Sequence, residues 1–164
     1  MKQKFFLSLL AIAFTILSAS AENPERLILN AGSVEHLSIQ DNMDVVLLQG
    51  AADDHSIILD QNASDKLNLK LSGKTLVIAS HGTLLKKQKI TVYVYVNNLK
   101  TITVEGNSQV KTIGSLDAGK LDVFIDGDAQ VHLKTNGVIK AHALNDSVIT
   151  VKYLAGNPRE RRAF

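Results

Sequence analysis

The chain has 164 residues, 18 Lys and Arg against 16 Asp and Glu, no cysteine and only 5% aromatic residues. Lack of cysteine excludes disulfides, thiolate metal sites, a thiol nucleophile and an acylated cysteine anchor. Scarcity of aromatics argues against a transmembrane barrel, which carries aromatic girdles. The two surplus cations, Lys2 and Lys4, sit at the N-terminus, so the rest of the chain is neutral and no nucleic-acid partner is expected.

In chain order, residues 1–21 read as a signal peptide. Lys2 and Lys4 form the charged segment, "FFLSLLAIAFTIL" the apolar one, and "ASA" at 19–21 a small-residue cleavage site. The expectation is an exported protein in the periplasm, on the outer surface or secreted, with no membrane span after cleavage. Residues 22–158 are expected to form one domain, and 159–164, containing "RERR", a polar tail without the interleaved aromatics of a nucleic-acid site.

Between Pro24 and Pro158 there is no proline, and strand-like alternation dominates: "LILN", "LSIQ", "DVVLLQ", "SIILD", "LNLKL", "TLVIA", "ITVYVYV", "TITV". The class is all-β. "LSIQDNMDVVL" places Leu37, Ile39, Met43, Val45 and Leu47 on one face with Asp41 at a corner. "LKLSGKTLVIA" fits either the same template around Gly73 or a local hairpin, because both its faces are apolar. "KITVYVYVNNLKTITV" reads as two strands divided at Asn97-Asn98, with Ile90, Val92, Val94 and Val96 inward and Tyr93 and Tyr95 outward.

Three related stretches follow: "TVEGNSQVKT", "FIDGDAQVHL" and "HALNDSVITV". Their corner residues Gly106, Gly127 and Asn145 are 21 and 18 residues apart, a solenoid-like period. Aligned on them, Ile102, Val123 and Ala141 share a column, as do Val104, Ile125 and Ala143. Beyond the corner come Val110, Val131 and Ile149. The alternate columns are mostly polar, with Glu105 and Asp126 in one of them. Stacking the copies as successive parallel rungs would turn each inward column into a buried ladder. Gly, Asn and Asp suit corners because they tolerate positive φ.

Taken together, "LSIQDNMDVVLLQG", "KLNLKLSGKTLVIA", "ITVYVYVNNLKTITVEGNSQV", "IDGDAQVHL" and "LNDSVITV" resemble the head GIN domain family, labelled auto-transporter adhesins. The resemblance spans roughly residues 27–154. It implies a single-stranded right-handed parallel β-helix, hairpin-like in its N-terminal half, in an exported bacterial protein. Asn145 departs from the usual glycine.

Candidate chemistry is sparse. Asp122, Asp126 and Asp128 hint at calcium, but turn chemistry explains Asp beside Gly and the Gly-Gly-x-Gly-x-Asp repeat is missing, so no metal or cofactor is expected. Glu105 and Asp126, on adjacent rungs, are the carboxylate pair a polysaccharide-cleaving β-helix would need; a solvated outer ladder is the simpler reading. The five histidines lack metal-ligand spacing. Tyr93 and Tyr95 form an outward pair that suits either strand packing or a platform for an envelope glycan or protein. The expected binding residues are therefore Tyr93, Tyr95, Glu105 and Asp126, in an adhesin-like or surface-scaffolding protein. An enzyme, or an assembly module associating through open solenoid ends, stands as the alternative.

Overall fold

A computed structural model describes residues 25–28 (backbone only), 34–51, 56–59, 64–81, 90–144 and 146–154. The signal segment 1–21, the tail 159–164 and the corner Asn145 lie outside them. Thirteen strands are present among the described residues: β1 (Glu25–Ile28), β2 (His36–Ile39), β3 (Met43–Gln49), β4 (Ser56–Leu59), β5 (Leu67–Ser72), β6 (Thr75–Ser80), β7 (Ile90–Val96), β8 (Thr101–Glu105), β9 (Gln109–Ile113), β10 (Lys120–Asp126), β11 (Gln130–Thr135), β12 (Val138–Leu144) and β13 (Val148–Tyr153). They form two mixed sheets. The seven-stranded sheet runs β1-β4-β7-β3-β9-β11-β13 and the six-stranded sheet β12-β10-β8-β2-β6-β5.

Alternating apolar residues explain both sheets, since each strand sends every second side chain inward. From β8 to β13 the chain alternates between the sheets and each strand pairs in parallel with the one two places on. The registers are the aligned columns: Ile102↔Val123↔Ala141, Val104↔Ile125↔Ala143 and Val110↔Val131↔Ile149. Val104, Val110, Val123 and Val131 are fully buried.

One expectation holds, one open alternative is decided and one expectation is corrected. The three copies stack as successive parallel rungs, as expected, but they do not make up the whole stack, because β2 and β3 lie in the middle of their sheets: β2 pairs with both β6 and β8, and β3 with both β7 and β9. The Gly73 segment is a hairpin: β5 and β6 are antiparallel and Gly73 has φ +57°. That reversal sends β6 and β7 back along one flank of the first rung, after which β8 and β9 take the other flank. Nor is the inward face buried continuously: Ala141 and Ala143 are exposed and Ile149 and Val151 only half-buried, since no described strand lies beyond β12 and β13.

The corners stack as well. Asp41, Gly106 and Gly127 have φ of 73°, 82° and 115°. A Cβ on Gly106 would lie 2.6 Å from the Asp41 carbonyl oxygen, and one on Gly127 2.6 Å from that of Gly106. Glycine is needed there both for its φ and for the close approach of successive backbones. Asp41 keeps its side chain because Oδ2 points to the other flank, accepting from Ser80 N and Oγ at 3.0 Å each. Ser108 Oγ donates to the Asp41 carbonyl, and Ser147 Oγ repeats the contact with the Gly127 carbonyl, both at 2.9 Å.

Candidate functional site

The two tyrosines and the two acids lie on different sheets. Tyr93 and Tyr95 belong to β7 in the seven-stranded sheet; Glu105 and Asp126 belong to β8 and β10 in the six-stranded one. They do not form one site.

On the seven-stranded sheet, Tyr93 stands between Ile58 and Val46, and Tyr95 beside Leu48. Continuing across β9, Val46 pairs with Lys111 and Leu48 with Ile113. Val46 alternates with Val45 and Leu47, which are in the core, so it faces outward; it is nevertheless only 1% exposed. Both tyrosines are half-buried, while Ile113 is 53% exposed. The result is an apolar strip three strands wide. The parallel rungs beyond it carry Lys111, His132, Lys134 and Lys152, with Lys111↔His132 and Lys134↔Lys152 as neighbours. Sequence reasoning found the tyrosines and missed Val46, Leu48 and Ile113, because β3 becomes their neighbour only through the central position of the first rung.

On the six-stranded sheet, Glu105 and Asp126 are register partners, and Leu144 follows them. Both acids are exposed. Beside them Phe124 and His142 stack with ring centroids 4.8 Å apart and planes 10° apart, the offset between adjacent strands. Asp122 accepts from Lys120 at 2.9 Å, and this hydrogen bond holds its carboxyl below the usual range despite partial desolvation. This face is open. A cleft of about 320 Å³ is lined by Asn98, Leu99, Lys100, Thr101, Gly119, Lys120 and Asp122 and contains neither Glu105 nor Asp126. Among the described residues no group of three or more His, Asp or Glu could hold a metal ion, and no helix is long and apolar enough to cross a membrane.

Glu35, which the sequence did not single out, is the one charged side chain buried among the described residues. Its oxygens accept from Lys74 Nζ at 2.6 Å and Lys100 Nζ at 2.7 Å. Its carbonyl also accepts from Lys100 N at 2.8 Å, and its N–H donates to the Lys74 carbonyl at 3.0 Å. The lysine hydrogen bonds, Lys100 first, hold the carboxyl at about 2 against an ordinary 4.5. Glu35 therefore ties the β5–β6 hairpin, β2 and β8 together at the edge of the cleft.

The sequence pattern described as "Putative auto-transporter adhesin, head GIN domain" matches residues 34–156. The chain belongs to the head GIN domain family. Among solved structures it is similar to a putative adhesin from Parabacteroides distasonis ATCC 8503, at 19% identity and TM-score 0.49, covering 79% of this chain and 64% of that one. The head GIN chain thus spans less than two thirds of that protein's length. A putative cell adhesion protein from Clostridium sporogenes ATCC 15579 matches at 13% identity and TM-score 0.42, over 80% of this chain and 100% of that one. A putative lipid binding protein from Parabacteroides distasonis ATCC 8503 matches at 12% identity and TM-score 0.34, over 82% and 98%. A comparison with curated proteins found no match. The family is named for adhesion.

Proposed function

We propose that this head GIN domain is an exported, adhesin-like binding module of the cell envelope, that its residues 101–153 wind as a single-stranded right-handed parallel β-helix, and that it grips its ligand with the outer face of the seven-stranded sheet. The winding is supported by the alternation of β8 to β13 between sheets in parallel register. The observation that carries the binding reading is the strip of Tyr93, Tyr95, Leu48 and Ile113 beside Lys111 and Lys134. Tyrosines offer apolar area with a polar tip, and lysines nearby favour an acidic ligand. An anionic envelope glycan suits that combination. The acidic column of Glu105 and Asp126 lies on the opposite sheet, while on this face Asp44 stands two residues before Val46.

The test is a glycan array probed with the wild-type chain and with a Tyr93→Ser, Tyr95→Ser double variant. Wild type should retain acidic glycans, and the double variant should lose at least about tenfold in affinity, the equivalent of 1.4 kcal/mol, while its circular dichroism stays unchanged. Equal retention by the two would return the tyrosines to ordinary strand packing.

A further inference from the structure

The two ends of the stack are built differently. At one end the parallel order is broken by reversed strands: β4 runs antiparallel to β7 and β1 to β4, while β5 runs antiparallel to β6. Of the inward residues there, Ile57, Leu59 and Leu67 are buried and Leu69 and Leu71 half-buried. At the other end β12 and β13 are both sheet edges, and the inward columns stop at exposed Ala141 and Ala143 and half-buried Ile149 and Val151. Leu144 and Val148 beside them are 62% and 49% exposed, and Leu154 37%. Proteins usually blunt such edges with inward charges, prolines or bulges. Between Val138 and Tyr153 there is no proline, the lysines Lys140 and Lys152 stand on the outward face, and the inward positions of this rung are Ala, Ile, Val and Tyr.

We propose that this open rung is a self-association surface on which a second copy of the chain docks end to end, making a closed two-fold dimer. Among the described residues the β12–β13 end is the more exposed of the two, so the pairing is of like with like, which closes and does not propagate into a filament. A two-fold axis makes β12 antiparallel to the partner's β12, and β13 to the partner's β13. Inward columns face inward columns only when paired residue numbers sum to an even value. With His142 opposite its own copy, Lys140 falls opposite Leu144 of the partner subunit. With Thr150 opposite its own copy, Lys152 falls opposite Val148 of the partner subunit. No cations then face each other, and the exposed aliphatic side chains meet lysine stems. His142 and Thr150 each lie two residues from the strand end at the intervening turn, so one axis serves both sheets.

A competing occupant is the segment that follows β13, "AGNPRERRAF" (155–164). It has no alternating apolar run, and it carries a proline, which lacks the N–H that an edge strand must donate. A second copy supplies both strands and the matching apolar columns.

The test is sedimentation velocity of the full chain from an exporting host, compared with Ala143→Lys. Ala143 is exposed in the single chain, so a lysine there can reach solvent, but the dimer would bury it. A doubled mass for wild type and loss of the dimer in Ala143→Lys, with a thermal midpoint equal to that of wild type diluted until monomeric, supports the proposal. Wild type remaining monomeric at every concentration, or both proteins dimeric, overturns it. Should Ala143→Lys not fold, hydrogen exchange on wild type decides. Protection of β12 and β13 amides that rises with protein concentration supports the dimer, and concentration-independent protection overturns it in favour of an intramolecular cover.

Discussion

Replacing Gly127 with alanine separates the two demands made on the stacked corner. At φ +115° a residue with a Cβ is strained by about 1–3 kcal/mol. The new Cβ would also lie 2.6 Å from the Gly106 carbonyl oxygen, against 3.4 Å for an ordinary contact, so two adjacent backbones must part by about 0.8 Å. Overpacking of this kind costs about 1–3 kcal/mol, more where the obstructing atom is backbone. Gly114 is the control. Its φ is +77°, but a Cβ there would meet nothing within 4 Å, so Gly114→Ala should cost only the conformational strain, about 1–2 kcal/mol. Gly127→Ala should therefore cost about 2–6 kcal/mol, a large part of the about 5–15 kcal/mol that holds a domain folded. Urea unfolding of the two variants reads the difference. Equal midpoint shifts would refute the close corner-to-corner approach.

Other outcomes follow from the same geometry. Val131→Asp should cost several kcal/mol, roughly 3 or more, by burying an unpaired carboxylate, whereas Gln130→Asp, exposed one residue away, should stay within about 0.5 kcal/mol in the same urea assay. Glu35 is held at about 2 in the folded chain against 4.5 ordinarily, so its contribution is full above pH 4.5 and lost as pH falls toward 2. Glu35→Gln should lower the melting temperature near neutrality and flatten the acid limb between pH 4.5 and 2; an unchanged limb would show that the two lysines do not hold this carboxyl. Intact mass of the protein from an envelope fraction should place its start at Glu22, and a chain beginning at Met1 in the membrane would contradict cleavage after Ala21.

Much of the fold was legible because two periods coincide in it. Alternation along each strand marks inward residues such as Val104 and Val123, and the spacing of Gly106 and Gly127 sets their register. Phe124 and His142 fall in one column of that alignment, so their stacking was also within reach. The spatial order of rungs was not, since Leu37 and Ile39 fit the same columns whether their rung lies at an end or in the middle. That order is what brings Val46 and Leu48 between Tyr93, Tyr95 and the lysine-bearing rungs. The Gly73 segment was ambiguous because Leu76 and Ile78 alternate with Val77 and Ala79, leaving no polar face to choose between hairpin and rung. Glu35 escaped notice for a related reason: its partners Lys74 and Lys100 lie 39 and 65 residues away, and only the pairing of β2 with both β6 and β8 brings them together.

The stacked ladder is most directly tested by methyl–methyl nuclear Overhauser contacts of Val131. Its neighbours in register are Val110 on one side and Ile149 on the other, 21 and 18 residues away. The account predicts contacts from Val131 to both methyl groups, with Val110 and Ile149 showing none to each other. Contacts confined to Val123 or Ile125, as a local hairpin across Gly127 would give, together with none to Val110, would contradict it.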